Sequence, residues 1–311
     1  MIWLIGAGPM AADYSQVLKA LEQESTVIGR SRESAARFTE KTGMPVATGG
    51  LTEFLSTTPQ LPDAAIVATS VEQLADATTQ LLNYGVKKIL VEKPGGLDKA
   101  SISAVAELAE TKGSKVLIAY NRRFFSSLRA AKAMIEADGG VTSFNFEITE
   151  WAHVIEKLDK DKQTLQTWFL ANTTHVIDAA FYLGGTPTDI SVYNDGSLSW
   201  HPAAARFAGA GITDRNALFS YSGNWEAPGR WAMEVLTAKH RFIFRPFEQL
   251  HVQEIGSVAI NRAKVNDKLD QEFKPGLYLQ CKSFIDGNFQ DMCLIDEQLK
   301  HAAIYEKMAG Y

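Results

Sequence analysis

Gly6, Gly8 and Ala11 stand at the spacing G-x-G-x-x-A, directly after the apolar run Ile2–Ile5. That spacing has a chemical use. A first glycine permits a tight turn out of a buried strand. A second leaves room for phosphate oxygens to approach the backbone, and a small third residue lets the next helix pack close to the strand. Unpaired N–H groups and the positive end of the helix dipole then meet a pyrophosphate. Pro9 and Met10 lie between Gly8 and Ala11 and belong to the same turn. About 20 residues on, a carboxylate at the tip of the second strand would bind the ribose of NAD. Gly29 fills that place, followed by Arg30, Ser31 and Arg32. Two guanidinium groups beside a hydroxyl suit a 2'-phosphate, so NADP is expected in preference to NAD. The competing use of Arg30 and Arg32 is as solvated charges at a helix start, where Glu33 would cap the helix.

These residues need a scaffold, and the first third of the chain alternates strand-like and helix-like segments. Strand patterns at Ile2–Ile5, Ser25–Ile28, 45–47, 64–68, 88–91 and 115–120 are separated by helical patterns at 11–22, 33–42, 51–56, 71–84 and 99–112. Such alternation predicts a parallel sheet covered on both faces. The fourth strand ends at Thr69 and Ser70, and the fifth delivers Glu92, Lys93 and Pro94 to the same carboxyl edge, where ligand-facing residues belong. Beyond Asn121 the pattern changes to a helix at Ser126–Ala137 and then short, mostly half-solvated strands at 144–148, 188–193, 217–221, 231–236, 241–244 and 250–255. Helical patterns at 276–284 and 296–308 pack on the sheet edges. The expected architecture is an α/β N-terminal Rossmann domain, a doubly wound parallel sheet over residues 1–121. An α+β C-terminal domain with a mainly antiparallel open sheet follows over residues 122–311.

Composition restricts the partners. The chain has 311 residues, 46% of them hydrophobic, and a net charge of −5, which fits a two-domain globular enzyme and gives no footprint for nucleic acid. Cys281 and Cys293 lack metal-ligand spacing, so no metal site is indicated and reduced thiols are expected. No apolar run approaches the ~20 residues of a membrane span. The first residues already form the cofactor strand, which predicts no signal peptide and a cytoplasmic location.

The motifs GAGPMA at the start, VATS at 67–70, EKPGG at 92–96, YNRRF at 120–124 and THVIDAAFYLGG at 174–185 resemble the glucose-fructose oxidoreductase and inositol dehydrogenase family (Gfo/Idh/MocA) across essentially the whole chain. The resemblance implies an NADP-dependent oxidoreductase acting on a hydroxyl or keto carbon of a sugar or sugar derivative. It places Lys93 beside nicotinamide and substrate, with Pro94 fixing its backbone through a cis bond. Thr69, Ser70 and Glu92 fall at the cofactor, and His175 becomes the proton carrier on a helix of the second domain. A lysine makes physical sense there, because oxidising an alcohol requires a group that stabilises or accepts the hydroxyl proton. Outside the motif, Lys93 would read as a strand-end charge and His175 as a core histidine. Asp178, three residues after His175, shares its helix face and orients the second domain or binds backbone.

One position departs from the family pattern. The aspartate that commonly stands four residues before the histidine is Ala171, so the carboxylate that would polarise the imidazole is absent. Three readings follow: a relay of Lys93 and His175 alone, a contribution from a tyrosine such as Tyr120, or a non-catalytic cofactor-sensing protein on the same scaffold. The first is preferred, as both residues are retained. Substrate contacts are expected from Tyr120, Arg122, Arg123, Trp151, Trp168, Asn172 and His175, near which Glu150 and His153 also fall. Either tryptophan suits the apolar face of a sugar ring, and Arg122 or Arg123 suits a carboxylate or phosphate. The alternative is that the tryptophans complete the core and the arginines lie in solvent. The segments RPFEQL (245–250) and FKPGLYLQCKSF (273–284) are similar to members associated with surface-polysaccharide sugars. Family members assemble through the open sheet face, which implies a homodimer or homotetramer.

Overall fold

Ile2–Ile5 is buried at every position, and a strand apolar on both faces belongs inside a sheet covered by helices. The structure, a computed structural model, describes all 311 residues. Strands β1 (Ile2–Ile5), β2 (Ser25–Ile28), β3 (Val46–Ala47), β4 (Ala64–Val67), β5 (Lys88–Glu92) and β6 (Lys115–Ala119) alternate with helices α1 (Pro9–Ala20), α2 (Arg32–Thr42), α3 (Gly50–Ser56), α4 (Leu74–Tyr84) and α5 (Lys99–Thr111). The strands lie in the order β3-β2-β1-β4-β5-β6, all parallel. The chain reverses direction across the sheet between β1 and β4, and a crevice opens at the carboxyl ends of such a pair.

After Asn121 come α6 (Ser126–Ala137), β7 (Ser143–Glu147), α7 (Ala152–Ile155), α8 (Lys162–Gln166), a π-helical stretch Phe169–Thr173 and α9 (Thr174–Gly184). Seven strands follow: β8 (Pro187–Asp195), β9 (Arg206–Thr213), β10 (Leu218–Asn224), β11 (Ala232–Leu236), β12 (His240–Phe244), β13 (His251–Glu254) and β14 (Asn261–Arg262). They join β7 in an eight-stranded sheet of order β14-β13-β12-β11-β7-β10-β9-β8, antiparallel at every pair but β7 with β10. Helix α9 packs on it through Phe181, whose ring meets Phe144, Phe146 and Phe219 edge-on. Gly184 lets the helix come close, since a Cβ there would run into the Phe144 ring.

The last elements are α10 (Lys268–Glu272), α11 (Leu277–Asp286), β15 (Cys293–Leu294) and α12 (Ile295–Ala309). The chain forms two compact units, Met1–Asn121 with Leu269–Lys300, and Arg122–Lys268 with His301–Tyr311. Residues 269–300, expected in the second domain, therefore build the first unit. The reason is the sheet: β15 pairs antiparallel with the outer edge of β6. Helix α11 lies against α1 and buries Leu277, Cys281 and Phe284, covering what would otherwise be open edge and apolar face. No helix is long and apolar enough to cross a membrane.

Candidate functional site

In the first unit, the turn after β1 is shaped by exclusion on one side and space on the other. Gly6 has φ +118°, and a Cβ there would overlap the Ala68 carbonyl at the end of β4. Gly8, the N-cap of α1, has φ −94°, and a Cβ would meet nothing within 4 Å. The open space belongs to a cleft of about 510 Å³ that Gly6, Gly8, Arg30, Ser31, Thr69 and Ser70 line together. Pro9 opens α1 at a position whose N–H has no helical partner, with Met10 and Ala11 in the same turn. These features fit a dinucleotide: open room at Gly8, helix N–H groups, and glycine in place of a carboxylate at the tip of β2.

That last feature is enforced by packing. A Cβ at Gly29 would sit 2.8 Å from Val46 Cγ1 and 3.1 Å from Ala7 Cβ, so a carboxylate side chain has no room there. The Gly49–Gly50 loop closes over this tip, with Gly50 N–H donating to the Gly29 carbonyl at 3.0 Å and Gly49 N–H to that of Arg30 at 3.3 Å. Ser31 caps α2, accepting from Ser34 N–H at 3.1 Å, and its hydroxyl meets that of Ser34 at 2.8 Å. Arg32, expected beside Arg30, is instead the exposed first residue of α2 and does not line the cleft. The helix turns its side chain away. Glu33 pairs with Arg37 at 2.7 Å on the solvent side. Ser34 lines the cleft and escaped the sequence reading, although its place one turn into a capped helix is a usable signal.

Glu92, Lys93 and Pro94 stand at the end of β5, one strand over from Thr69, and do not line that cleft. The Lys93–Pro94 peptide is cis. The turn is tied by Gly95 N–H to the Glu92 carbonyl at 3.0 Å and by the Gln298 amide to the Pro94 carbonyl at 3.0 Å. The Glu92 carboxyl accepts from the Tyr14 hydroxyl at 2.8 Å. Burial raises the Glu92 pKa, opposed by that hydrogen bond and by the charges of Lys93 and Lys274. Burial, then the Glu92 charge, lifts Tyr14 well above the usual phenol range. Lys93 and Glu92 are both half-buried, and an ammonium beside a carboxyl can hold or release a proton. Tyr120, at the end of β6, is 1% exposed.

In the second unit the two adjacent arginines part company. Arg123 makes a bidentate bond to Asp178, Nε to Oδ2 at 2.9 Å and Nη2 to Oδ1 at 2.6 Å, with both side chains at most 2% exposed. This pair joins the YNRRF segment to α9 and removes Arg123 from the expected substrate contacts. It also gives Asp178 a structural use, while His175 on the same helix is half-buried. Trp168, the other misplaced residue, is 8% exposed and packs edge-on against Trp200, in the core rather than against a sugar. Trp151 is 44% exposed, its indole N–H donating to the Gly229 carbonyl at 2.7 Å.

Around Arg122 the geometry differs. Its guanidinium lies over the rings of Trp231, Phe125 and Phe247, with centroids at 4.9, 5.6 and 6.0 Å. Nε is buried without an acceptor. Burial lowers its pKa to about 10, helped by the like charge of Arg230. The residue as a whole is half-buried, and cation–π contact of about 1–2 kcal/mol offsets part of the desolvation of its buried Nε.

Next to it, buried Glu150 collects three bonds: Asn172 Nδ2 at 2.9 Å, Thr173 Oγ1 at 2.9 Å and Arg230 Nη1 at 3.1 Å. Burial raises its pKa and the Arg230 charge opposes the rise. Arg230 lies over Trp231 and Trp151 at 4.6 and 5.2 Å, and the His175 ring is 6.1 Å from that of Trp231. Arg230 and Trp231 were missed in the sequence, where GRW between two strands carries no motif. Ala171, 3% exposed, sits inside the π-helical stretch.

Residues 1–120 match the model of the Gfo/Idh/MocA oxidoreductase family, described as an NAD-binding Rossmann fold. The mouse (Mus musculus) trans-1,2-dihydrobenzene-1,2-diol dehydrogenase is 29% identical over 136 residues, 42% of this chain and 40% of that enzyme. The match thus spans well under half of that relative. Among solved structures, a putative NADPH-dependent oxidoreductase from Desulfitobacterium hafniense is similar at TM-score 0.81 and 15% identity, covering 99% of this chain and 94% of that one. A levoglucosan dehydrogenase in complex with NADH and L-sorbose is similar at 0.79 and 17%, covering 99% and 95%. These likenesses show the two-domain fold. The match to the family model covers residues 1–120, and the likeness over the rest of the chain is one of fold.

Proposed function

We propose that this chain is a Gfo/Idh/MocA-type oxidoreductase, NADP-dependent and acting on a CH–OH group, or the matching carbonyl, of a sugar or sugar derivative. The observation that carries the cofactor choice is the ribose end of the cleft, where Gly29 admits no carboxylate while Arg30 and Ser31 line the wall. A 2'-phosphate would take the Arg30 guanidinium and the Ser31 hydroxyl, and the pyrophosphate would take the open turn at Gly8. When bound, NADP(H) accepts or supplies the hydride. Lys93 and His175 have the roles the family resemblance implies, holding and moving the hydroxyl proton. The sugar class is supported by the levoglucosan dehydrogenase likeness, and a place in surface-polysaccharide metabolism by the segments 245–250 and 273–284. We place self-association, as a dimer or tetramer, on the open face of the eight-stranded sheet.

The test is turnover of NADP⁺ with a panel of sugars, followed through reduced-nicotinamide absorbance, in wild type and Lys93→Met. The variant should lose on the order of 10²-fold or more in kcat while still binding NADPH. Intact turnover would remove Lys93 from the mechanism. A second reading rests on Ala171, buried where family dehydrogenases keep an aspartate: a protein that binds NADP and a ligand without fast chemistry. It predicts NADPH binding with no turnover on any sugar of the panel.

A further inference from the structure

We propose that Arg122 is the seat for a carboxylate carried by the substrate, which makes the substrate an acidic sugar such as a uronate or aldonate. This rests on the sugar-oxidoreductase reading above and narrows it. Three observations within the second unit support it. The guanidinium is walled by Trp231, Phe125 and Phe247, and its buried Nε has no acceptor in the protein. The carboxylates that would be its natural partners are engaged elsewhere: Asp178 holds Arg123, and Glu150 holds Arg230, Asn172 and Thr173. Trp231 links the seat to the proposed proton carrier, with Arg122 at 4.9 Å and the His175 ring at 6.1 Å from it.

Charge decides between carboxylate and phosphate. Arg230 is paired with Glu150, which leaves half-buried Arg122 with no carboxylate bonded to it. Glu248 is the strongest charge acting on Arg122, but it stands exposed to solvent, where salt screens it and it leaves the walled side of the guanidinium open to a ligand. One positive charge matches a monoanion, whereas a phosphate monoester carries about −1.5 to −2 at neutral pH. A planar guanidinium also pairs with a planar carboxylate through two parallel bonds.

The experiment is calorimetric titration of the NADP⁺-loaded protein with D-glucuronate, D-galacturonate and D-gluconate. D-glucose, D-galactose and glucose 6-phosphate serve as comparisons, all at one ionic strength. At least one acid should bind about 10- to 100-fold more tightly than its neutral counterpart. Arg122→Met, which keeps the packing against the rings, should abolish that difference while the variant still binds NADPH. Should Arg122→Met fail to fold, Arg122→Lys serves, with the expectation that it lowers acid affinity at least severalfold by losing the bidentate geometry. No preference for any acid, a preference that survives at Arg122, or tighter binding of glucose 6-phosphate would each overturn the seat. Turnover of a neutral sugar without acid binding would overturn the seat and keep the oxidoreductase reading. Acid binding that depends on Arg122 but never leads to turnover would do the reverse.

Discussion

Gly8 is the residue at which the cofactor reading is most exposed to test. Its φ of −94° is open to alanine, and a Cβ there meets nothing within 4 Å. Gly8→Ala should therefore change folding stability by less than about 1 kcal/mol and still weaken NADPH about 10-fold or more, because the methyl occupies space the phosphates need. Unchanged affinity in a calorimetric titration would mean that no phosphate sits there. The same scale shows where sequence reading stops. Arg122 and Arg123 are adjacent and alike in charge, yet one is spent on Asp178 and the other faces aromatic rings. That choice depends on which of the two points toward α9, and spacing alone does not carry it. The glycine turn and EKP were legible because backbone demands fix them locally. Arg230 and Trp231 were not, because they reach Glu150 and Arg122 through long-range folding.

Among the elements, β9 is the strand that sequence patterning passed over. A Cβ at Gly209 or Gly211 would strike the rings of Tyr221 or Phe219 on β10; the glycines are the cost of seating those rings. The π-helical stretch is held from behind. His201 is fully buried, donating from Nδ1 to the Ala204 carbonyl at 2.7 Å and accepting at Nε2 from the Tyr311 hydroxyl at 2.7 Å. The Tyr311 oxygen accepts from Phe169 N–H at 3.3 Å, so the chain of bonds ends on the first residue of the stretch that carries Ala171 and Asn172. Burial lowers the His201 pKa. A depressed histidine favours the neutral form in the fold, so its contribution is fully present above the unfolded value of about 6.5 and is lost as pH falls through the folded value. The stability gap between wild type and His201→Leu, measured by urea denaturation, should therefore narrow from about pH 7 to pH 5. A gap that widens on acidification would show that His201 is charged in the fold.

At the scale of the whole molecule, the parallel order of the first sheet and the mainly antiparallel second sheet follow from patterns visible along the chain. The return of residues 269–300 to the first unit does not, since only the unpaired edge of β6 calls for it. The net charge of −5 does nothing to attract anionic ligands at long range, and with a Debye length of ~8 Å at physiological salt their binding depends on local cations. Arg30 is the one that matters for the cofactor. The most direct test is a titration of wild type and Arg30→Ala with NADPH and NADH, followed by nicotinamide fluorescence. Wild type should bind NADPH about 10- to 100-fold more tightly than NADH; Arg30→Ala should lose that margin while keeping NADH affinity, and Arg32→Ala should keep it. Tighter binding of NADH by wild type, or equal losses for both cofactors on removing Arg30, would contradict the 2'-phosphate assignment.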